Sequence, residues 1–147
     1  MMPLATFLEA AHFRRVPLQR TAAGHFEAAG TLNGHSVRVL IDTGAAKTVV
    51  SLSHARELAL ELQPLARCGA GAGGSGLEVF QISGAELRLG DVVPRLEGLL
   101  AIDLSHVNEA LAQRGSPPVD VVLGVDVFDA QAAVIDYGSA SLFLREA

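Results

Sequence analysis

The sequence predicts a single, mainly β domain with one or two short helices. Short segments of alternating apolar and polar residues recur along the chain, and turn signals separate them. The strongest of these signals is Asn33-Gly34, a typical β-hairpin connection. A chain of 147 residues fits one domain, and because half of its residues are hydrophobic and only 18% are charged, it can bury a core.

Composition and charge exclude several classes of function. The net charge of −5 and the absence of a basic stripe argue against a nucleic-acid partner. The single Cys68 excludes an internal disulfide framework and fits a reducing compartment, and we interpret it as a small hydrophobe rather than a nucleophile. The five histidines lack metal-ligand spacing, so we expect neither a metal nor a cofactor.

Membrane and export signals are not apparent in the sequence. No run of about 18 apolar residues exists that could span a bilayer. The first residues lack a basic start and are interrupted by Glu9, which does not fit a secretory signal. We therefore expect a cytoplasmic protein, or one whose original leader is missing from this chain.

The first 41 residues are predicted to form largely a β-meander. Residues 1–11 are an N-terminal extension with a short helix at 3–11, and a strand is expected at 12–19. A turn at Ala23-Gly24 leads to the strand at 26–32, and the Asn33-Gly34 hairpin then leads to a strand at 37–41. That last strand delivers Asp42.

The stretch that follows, Asp42-Thr43-Gly44-Ala45, is the first candidate site. A carboxylate at the end of an apolar strand costs desolvation free energy unless it is hydrogen-bonded or used. Gly44 lets the backbone turn sharply and brings N–H groups close to Asp42. Ala45 is small enough to keep the approach to that carboxylate open.

A second candidate segment lies about eighty residues further along the chain. Residues 119–123 are a strand with three apolar residues that end in Leu123, and Gly124 follows. A short helical turn at 126–129 begins with the polar Asp126.

Together the two segments resemble the retropepsin-like aspartic proteases, in their bacterial and cellular branch, and the resemblance covers residues 12–145. It implies a closed β-barrel of the acid protease type, with a flap hairpin. It also implies that the second strand crosses close to the Asp42 loop, where Gly124 permits the approach.

The glycine-rich stretch at 69–76 has two interpretations besides a nucleotide site. Its glycines formally satisfy G-x-G-x-x-G, but the residues at 77–82 have strand character, and a dinucleotide site needs a helix there. The resemblance implies a flap that closes over the substrate, with its tip formed by Gly71, Gly73, Gly74 and Ser75. The alternative is a mobile loop without a role.

Between these segments, three further elements are predicted. A short strand at 48–50 precedes a helix at 54–60, capped by Ser51 or Ser53, whose apolar face continues to Leu62 before Pro64 ends it. Leu87 and Leu89 lie in a strand. Pro94 indicates that the apolar segment 92–101 is an edge or a bend.

Towards the C-terminus, the pattern predicts an inserted helix and a closing hairpin. The helix at 103–115 is capped by Asp103 or Ser105 and ended by Gly115. Its apolar stripe consists of Leu104, Val107 and Leu111, and His106 is interpreted as a surface or capping residue. The hairpin pairs 133–138 with 141–144, and we interpret Asp136-Tyr137-Gly138 as a strand end and turn rather than a second active-site loop.

The resemblance implies an aspartic endopeptidase, which needs two carboxylates that share a proton. Because this chain has one D-T-G, a homodimer would bring Asp42 of each subunit to a two-fold axis. Thr43 would hydrogen-bond across the interface, Gly44 would donate its N–H to the carboxylate, and an extended peptide or protein would be the substrate. The C-terminal strand is a candidate for the dimer interface. Two alternatives remain: a catalytically inactive dimerisation or peptide-binding module of the same fold, and an unrelated small β-barrel.

Overall fold

The computed structural model describes residues 1–65 and 78–146. This part of the chain contains twelve strands and four short helices, as the mainly β prediction requires. The helices are α1 (Leu4–Ala10), α2 (Leu52–Glu57), α3 (Ser105–Gln113) and α4 (Val125–Ala130). The strands are β1 (Phe13–Pro17), β2 (Gln19–Arg20), β3 (Phe26–Leu32), β4 (His35–Ile41), β5 (Val49–Ser51), β6 (Glu61–Pro64), β7 (Phe80–Ser83), β8 (Leu87–Arg88), β9 (Leu99–Ile102), β10 (Val121–Leu123), β11 (Val134–Asp136) and β12 (Ser141–Arg145).

Most strands belong to one large sheet in the order β2-β3-β4-β10-β5-β9-β7-β6, with β8 beside β3. At its centre β4 and β10 run parallel, with Val39 opposite Val121 and Ile41 opposite Leu123. This pairing brings the ends of two strands that are distant in sequence to the same point. Among the described residues no pairing between β2 and β6 closes the sheet, so the closed barrel stays a prediction.

The β3–β4 hairpin confirms the strongest local signal in the sequence. Asn33 and Gly34 have φ angles of 49° and 81°. A two-residue hairpin turn of type I′ needs positive φ at both central residues, which Asn and Gly adopt most easily. The hairpin fixes the register that buries Val37, Val39 and Ile41 in the main core.

The predicted N-terminal meander is wrong for its first strand. The strand predicted at 12–19 is interrupted at Leu18, whose N–H donates to the Ala140 carbonyl at 2.9 Å. After this break β2 pairs with β3, whereas β1 pairs with β12 in a separate sheet of order β1-β12-β11. An alternating pattern specifies which face of a strand is buried but not which strand lies beside it.

The closing hairpin of β11 and β12 is confirmed, whereas the role of the C-terminal strand in a dimer interface stays a prediction. Both edges of β12 are already paired, with β1 on one side and β11 on the other. Leu144 is fully buried. A second subunit therefore cannot add to β12 without displacing one of these neighbours.

Between the Asp42 loop and α3 the predicted helix is corrected, and of the two alternatives for segment 92–101 the edge is wrong whereas a bend is present at residue 97. Helix α2 ends at Glu57, so Leu62 lies on β6 rather than on a helix face. The Ser51 hydroxyl does not cap the helix and lies within hydrogen-bond distance of the Ser53 hydroxyl. The segment after Pro94 leads into β9, which lies between β5 and β7 inside the sheet. Pro94 precedes the strand and removes none of its ladder hydrogen bonds.

Helix α3 packs on the outer face of the large sheet. Leu104 and Leu111 are buried in a second apolar cluster with Leu40 and Val122, and Val107 packs against that cluster. This confirms the predicted stripe. The helix is followed by Gly115 at a φ of 79°, the left-handed conformation with which helices commonly end. Among the described residues, no helix has the length and apolar character needed to cross a membrane.

Candidate active site

The Asp42 loop starts where β4 ends, and hydrogen bonds fix its backbone from Asp42 onwards. The Asp42 N–H donates to the Leu123 carbonyl at 3.0 Å, so β10 supports the loop directly. Asp42 Oδ1 accepts the Gly44 N–H at 2.8 Å, and the Ala45 N–H donates to the Asp42 carbonyl at 3.2 Å. These bonds close a tight turn and orient a carboxylate that remains half-exposed.

Gly124 lies against the other side of this loop. A Cβ added there would lie 2.6 Å from the Ala45 carbonyl oxygen and 2.9 Å from that of Lys47. Its φ of −119° and ψ of −172° suit any residue, so close approach and not backbone conformation requires glycine. The Val125 N–H completes the contact by donating to the Ala45 carbonyl at 2.8 Å. The predicted crossing of the two segments is thus present in the structure.

Thr48 and Asp126 lock the two segments together. The Thr48 hydroxyl donates to Asp126 Oδ1 at 2.8 Å and accepts the Gly124 N–H at 3.0 Å. The Thr48 N–H donates to Asp126 Oδ2 at 3.0 Å. Thr48 is only 1% exposed, so water cannot replace these bonds. The sequence analysis placed Thr48 at the start of a short strand and Asp126 in the second segment, but it did not reveal that the two residues bind each other.

A cleft of about 340 Å³ opens beside Asp42. Its apolar walls come from the end of β4 and from helix α3, and two imidazoles also line it. The lining residues are His25, Leu40, Ile41, Asp42, His106, Val107, Ala110 and Leu111. His106 is exposed as expected, but its position on the cleft wall was not foreseen. No local signal could have shown that the inserted helix lies beside Asp42.

The remaining predicted site residues have different positions. Thr43 is exposed, and its hydroxyl makes no hydrogen bond with the residues that the structure describes. Leu123 is fully buried at the end of β10. The flap residues Gly71, Gly73, Gly74 and Ser75, and also Cys68, lie outside the described residues. Across residues 1–65 and 78–146, no group of His, Cys, Asp and Glu is arranged to hold a metal ion.

One buried acid near the site was missed by the sequence analysis. Glu27 lies on β3 opposite Leu40 and is 5% exposed. Burial raises the pKa of Glu27, although its hydrogen-bonded ion pair with Arg38 opposes the shift. Its Oε2 atom has no hydrogen-bond partner in the described part of the chain. A single Glu in a strand pattern gave no sign that it would be buried.

Comparison with known proteins agrees with this geometry. Residues 28–127 match the aspartyl protease family, over a span that contains both the Asp42 loop and Gly124. The chain belongs to this family. No curated protein is similar enough in sequence to count as a relative.

Solved structures show the fold of this member of the aspartyl protease family. A retropepsin-like aspartic protease from Rickettsia conorii superposes with a TM-score of 0.57 at 16% identity, over 90% of this chain and 89% of that one. The retroviral protease-like domain of Ddi1 from Leishmania major also gives a TM-score of 0.57, at 15% identity, over 84% of this chain and 90% of that one. At such identities the likeness establishes a retropepsin-like fold and no more.

Proposed function

We propose that this aspartyl protease is a homodimeric endopeptidase in which Asp42 of each subunit forms the catalytic dyad. The observation that carries the proposal is the state of Asp42 itself. Its carboxylate is half-exposed beside a cleft, and one of its oxygens is held by the Gly44 N–H at 2.8 Å. A preorganised, accessible carboxylate is what acid–base chemistry on a bound peptide needs.

The reaction requires a second carboxylate, and the cleft lining has none besides Asp42 in residues 1–65 and 78–146. Two adjacent carboxylates share one proton, so that one acts as a base on water while the other donates to the substrate carbonyl. Asp136 does not fill this role, because it is not among the residues that line the cleft beside Asp42. A two-fold axis near Asp42 supplies the missing group from a second copy. The exposed hydroxyl of Thr43 is then available for a hydrogen bond between subunits.

The substrate of this dimer is an extended peptide. Its main chain would be bound through backbone hydrogen bonds, as extended peptides generally are. An apolar side chain next to the scissile bond would enter the cleft of about 340 Å³ beside Asp42, where Leu40, Val107 and Leu111 contribute apolar surface. The glycine-rich tip at 69–76 closing over the peptide, and a closed barrel, are parts of the same proposal.

The alternative is a catalytically inactive module of the same fold that dimerises or binds peptides. It would keep the cleft and the locked loop, since these features serve binding as well. The two hypotheses differ only in whether the Asp42 carboxylate performs chemistry.

Cleavage of a diverse peptide mixture separates these hypotheses. The wild type and Asp42→Asn would be compared at high protein concentration, from mildly acidic to neutral pH, with sedimentation to measure dimerisation under the same conditions. Cleavage by the wild type alone supports the proposal. Equal cleavage by both proteins shows that another group is responsible, and peptide binding without cleavage favours the inactive module.

A further inference from the structure

A second cavity, of about 440 Å³, lies next to the Asp42 loop and shares no lining residue with the first. Its wall combines the end of the loop at Lys47, the segment before β9 with Arg95 and Glu97, the β9 residue Leu100, and the helix α4 residue Asp126. Lys47 is the single lysine of the sequence, three residues beyond Gly44.

The cavity is within reach of a peptide bound at Asp42. The turn closed by the Ala45 N–H and the Asp42 carbonyl brings these two Cα atoms within about 7 Å. The two further residues to Lys47 add at most about 7 Å. An extended peptide advances about 3.3 Å per residue, so a side chain two to four residues from the scissile bond can reach this cavity.

The two cations of the cavity are free to bind an anion. Lys47 and Arg95 form no ion pair with any carboxylate among the residues that the structure describes. Asp126 also lines the cavity, but its two oxygens already accept hydrogen bonds from Thr48 and from the Val127 N–H. Asp126 keeps its negative charge, because neutral donors do not remove it, and together with Glu97 it balances the two cations. An anion would therefore be held by direct contacts with Lys47 and Arg95 and not by a net positive charge.

Both cations are attached to fixed backbone. The Lys47 carbonyl oxygen lies against Gly124, where an added Cβ would be 2.9 Å away. The Arg95 N–H donates to Gln131 Oε1 at 2.6 Å, and Arg95 Nη1 donates to the Ala130 carbonyl at 3.3 Å. A guanidinium has five N–H donors, so others remain for a ligand carboxylate.

We propose that this cavity is a specificity site for an acidic side chain of the substrate, Asp or Glu, two to four residues from the cleaved bond. Lys47 supplies a mobile point charge and Arg95 a planar donor, while Leu100 contacts the methylene groups of the acidic residue. The inference depends on the peptidase function proposed above. It adds the chemistry of one substrate position, which the cleft beside Asp42 does not determine.

Matched peptide sets test this site. Within a set, the peptides differ only in having Glu, Gln or Lys at one position. That position lies two, three or four residues before or after an apolar cleavage site, and it differs from set to set. We expect kcat/KM to be about two- to fivefold higher for Glu than for Gln at one of these positions, which is the range for an exposed ion pair. Lys47→Glu and Arg95→Glu should each reverse the preference towards Lys.

Arg88→Glu is the matched control. It makes the same charge change on an exposed side chain, on β8 beside Thr31, far from the Asp42 end of β4. Its peptide preference should equal that of the wild type. Acetylation of amines should weaken the Glu preference in the wild type but not in Lys47→Arg, because Lys47 is the only lysine side chain.

Failure of this inference and failure of the peptidase proposal give different results. If the wild type cleaves peptides without preferring Glu, or if Lys47→Glu leaves the preference unchanged, the specificity site is wrong and the peptidase stands. If nothing is cleaved, the specificity site is tested by measuring how tightly the wild type binds fluorescently labelled versions of the same peptides. A preference for Glu in binding supports the site within an inactive module, and no preference overturns it.

Discussion

Replacement of Gly124 by alanine tests the contact on which the site depends. The added Cβ would lie 2.6 Å from the Ala45 carbonyl oxygen and 2.9 Å from that of Lys47. Both atoms belong to backbone that is fixed by hydrogen bonds, so they cannot move aside as a flexible side chain could. We therefore expect a destabilisation near the upper end of the range for overpacking, about 3 kcal/mol.

Part of this loss is offset in the unfolded chain. Alanine has less conformational freedom than glycine when unfolded, which stabilises the folded state by about 0.4–1 kcal/mol. The net loss of unfolding free energy is then about 2 kcal/mol, which lowers the melting temperature by about 4–8 °C for a chain of this size. Because loop residues 45–47 must shift, we also expect peptide cleavage to fall in the protein that remains folded.

Urea denaturation and thermal melting of Gly124→Ala measure this effect, with Gly138→Ala as the matched control. A Cβ at Gly138 would meet only Asp136 Oδ1 at 3.5 Å, an ordinary contact, and its φ is outside the left-handed region. The control should therefore be unchanged or gain up to about 1 kcal/mol. A Gly124→Ala protein as stable as the wild type would refute the close packing of the two segments.

Three further predictions address the same region. Thr48→Val removes the acceptor of the buried Gly124 N–H and should lower the free energy of unfolding, measured with urea, by about 1–3 kcal/mol. The control is Thr31→Val, because the Thr31 side chain makes no hydrogen bond with the described residues. Its free energy of unfolding should change by less than about 0.5 kcal/mol. Burial raises the pKa of Glu27, so as pH rises the unfolded chain releases this proton before the folded protein does. Stability is therefore lost between the ordinary glutamate pKa and the raised value. Denaturation at a series of pH values should show this loss in the wild type relative to Glu27→Gln, and parallel curves would contradict it. Ala110→Trp should fill the cleft beside Asp42 and lower kcat/KM for peptides with a bulky apolar side chain at the cleavage site, while Ala112→Trp, exposed on the same helix but outside the cleft lining, should not.

Local patterns predicted the elements that carry the site. The Asn33-Gly34 turn, the strand that ends at Asp42, the strand before Gly124 and the stripe of α3 all depend on residues close together in sequence. Turn chemistry and hydrophobic period act over a few residues, so one sequence is enough to recognise them. The family followed from two such segments, and the match over residues 28–127 confirms it.

Predictions that needed a partner in space were less successful. Leu62 was placed on a helix and lies on β6, and the first strand of the predicted meander pairs with β12 instead of with its neighbours in the chain. The flap at 69–76 remains a prediction, as does the dimer. In each error the apolar residues were recognised, but their neighbours were not.

The sequence by itself determined the mainly β class, the Asp42 loop and the second segment with its glycine. Only the tertiary structure showed that Thr48 binds Asp126, that α3 forms a wall of the cleft, and that Lys47 and Arg95 line one cavity. The residues in each of these groups are far apart in the chain. Periodicity fixes the face that a side chain occupies, whereas the neighbours of that face depend on how the whole sheet is ordered, which no local pattern specifies.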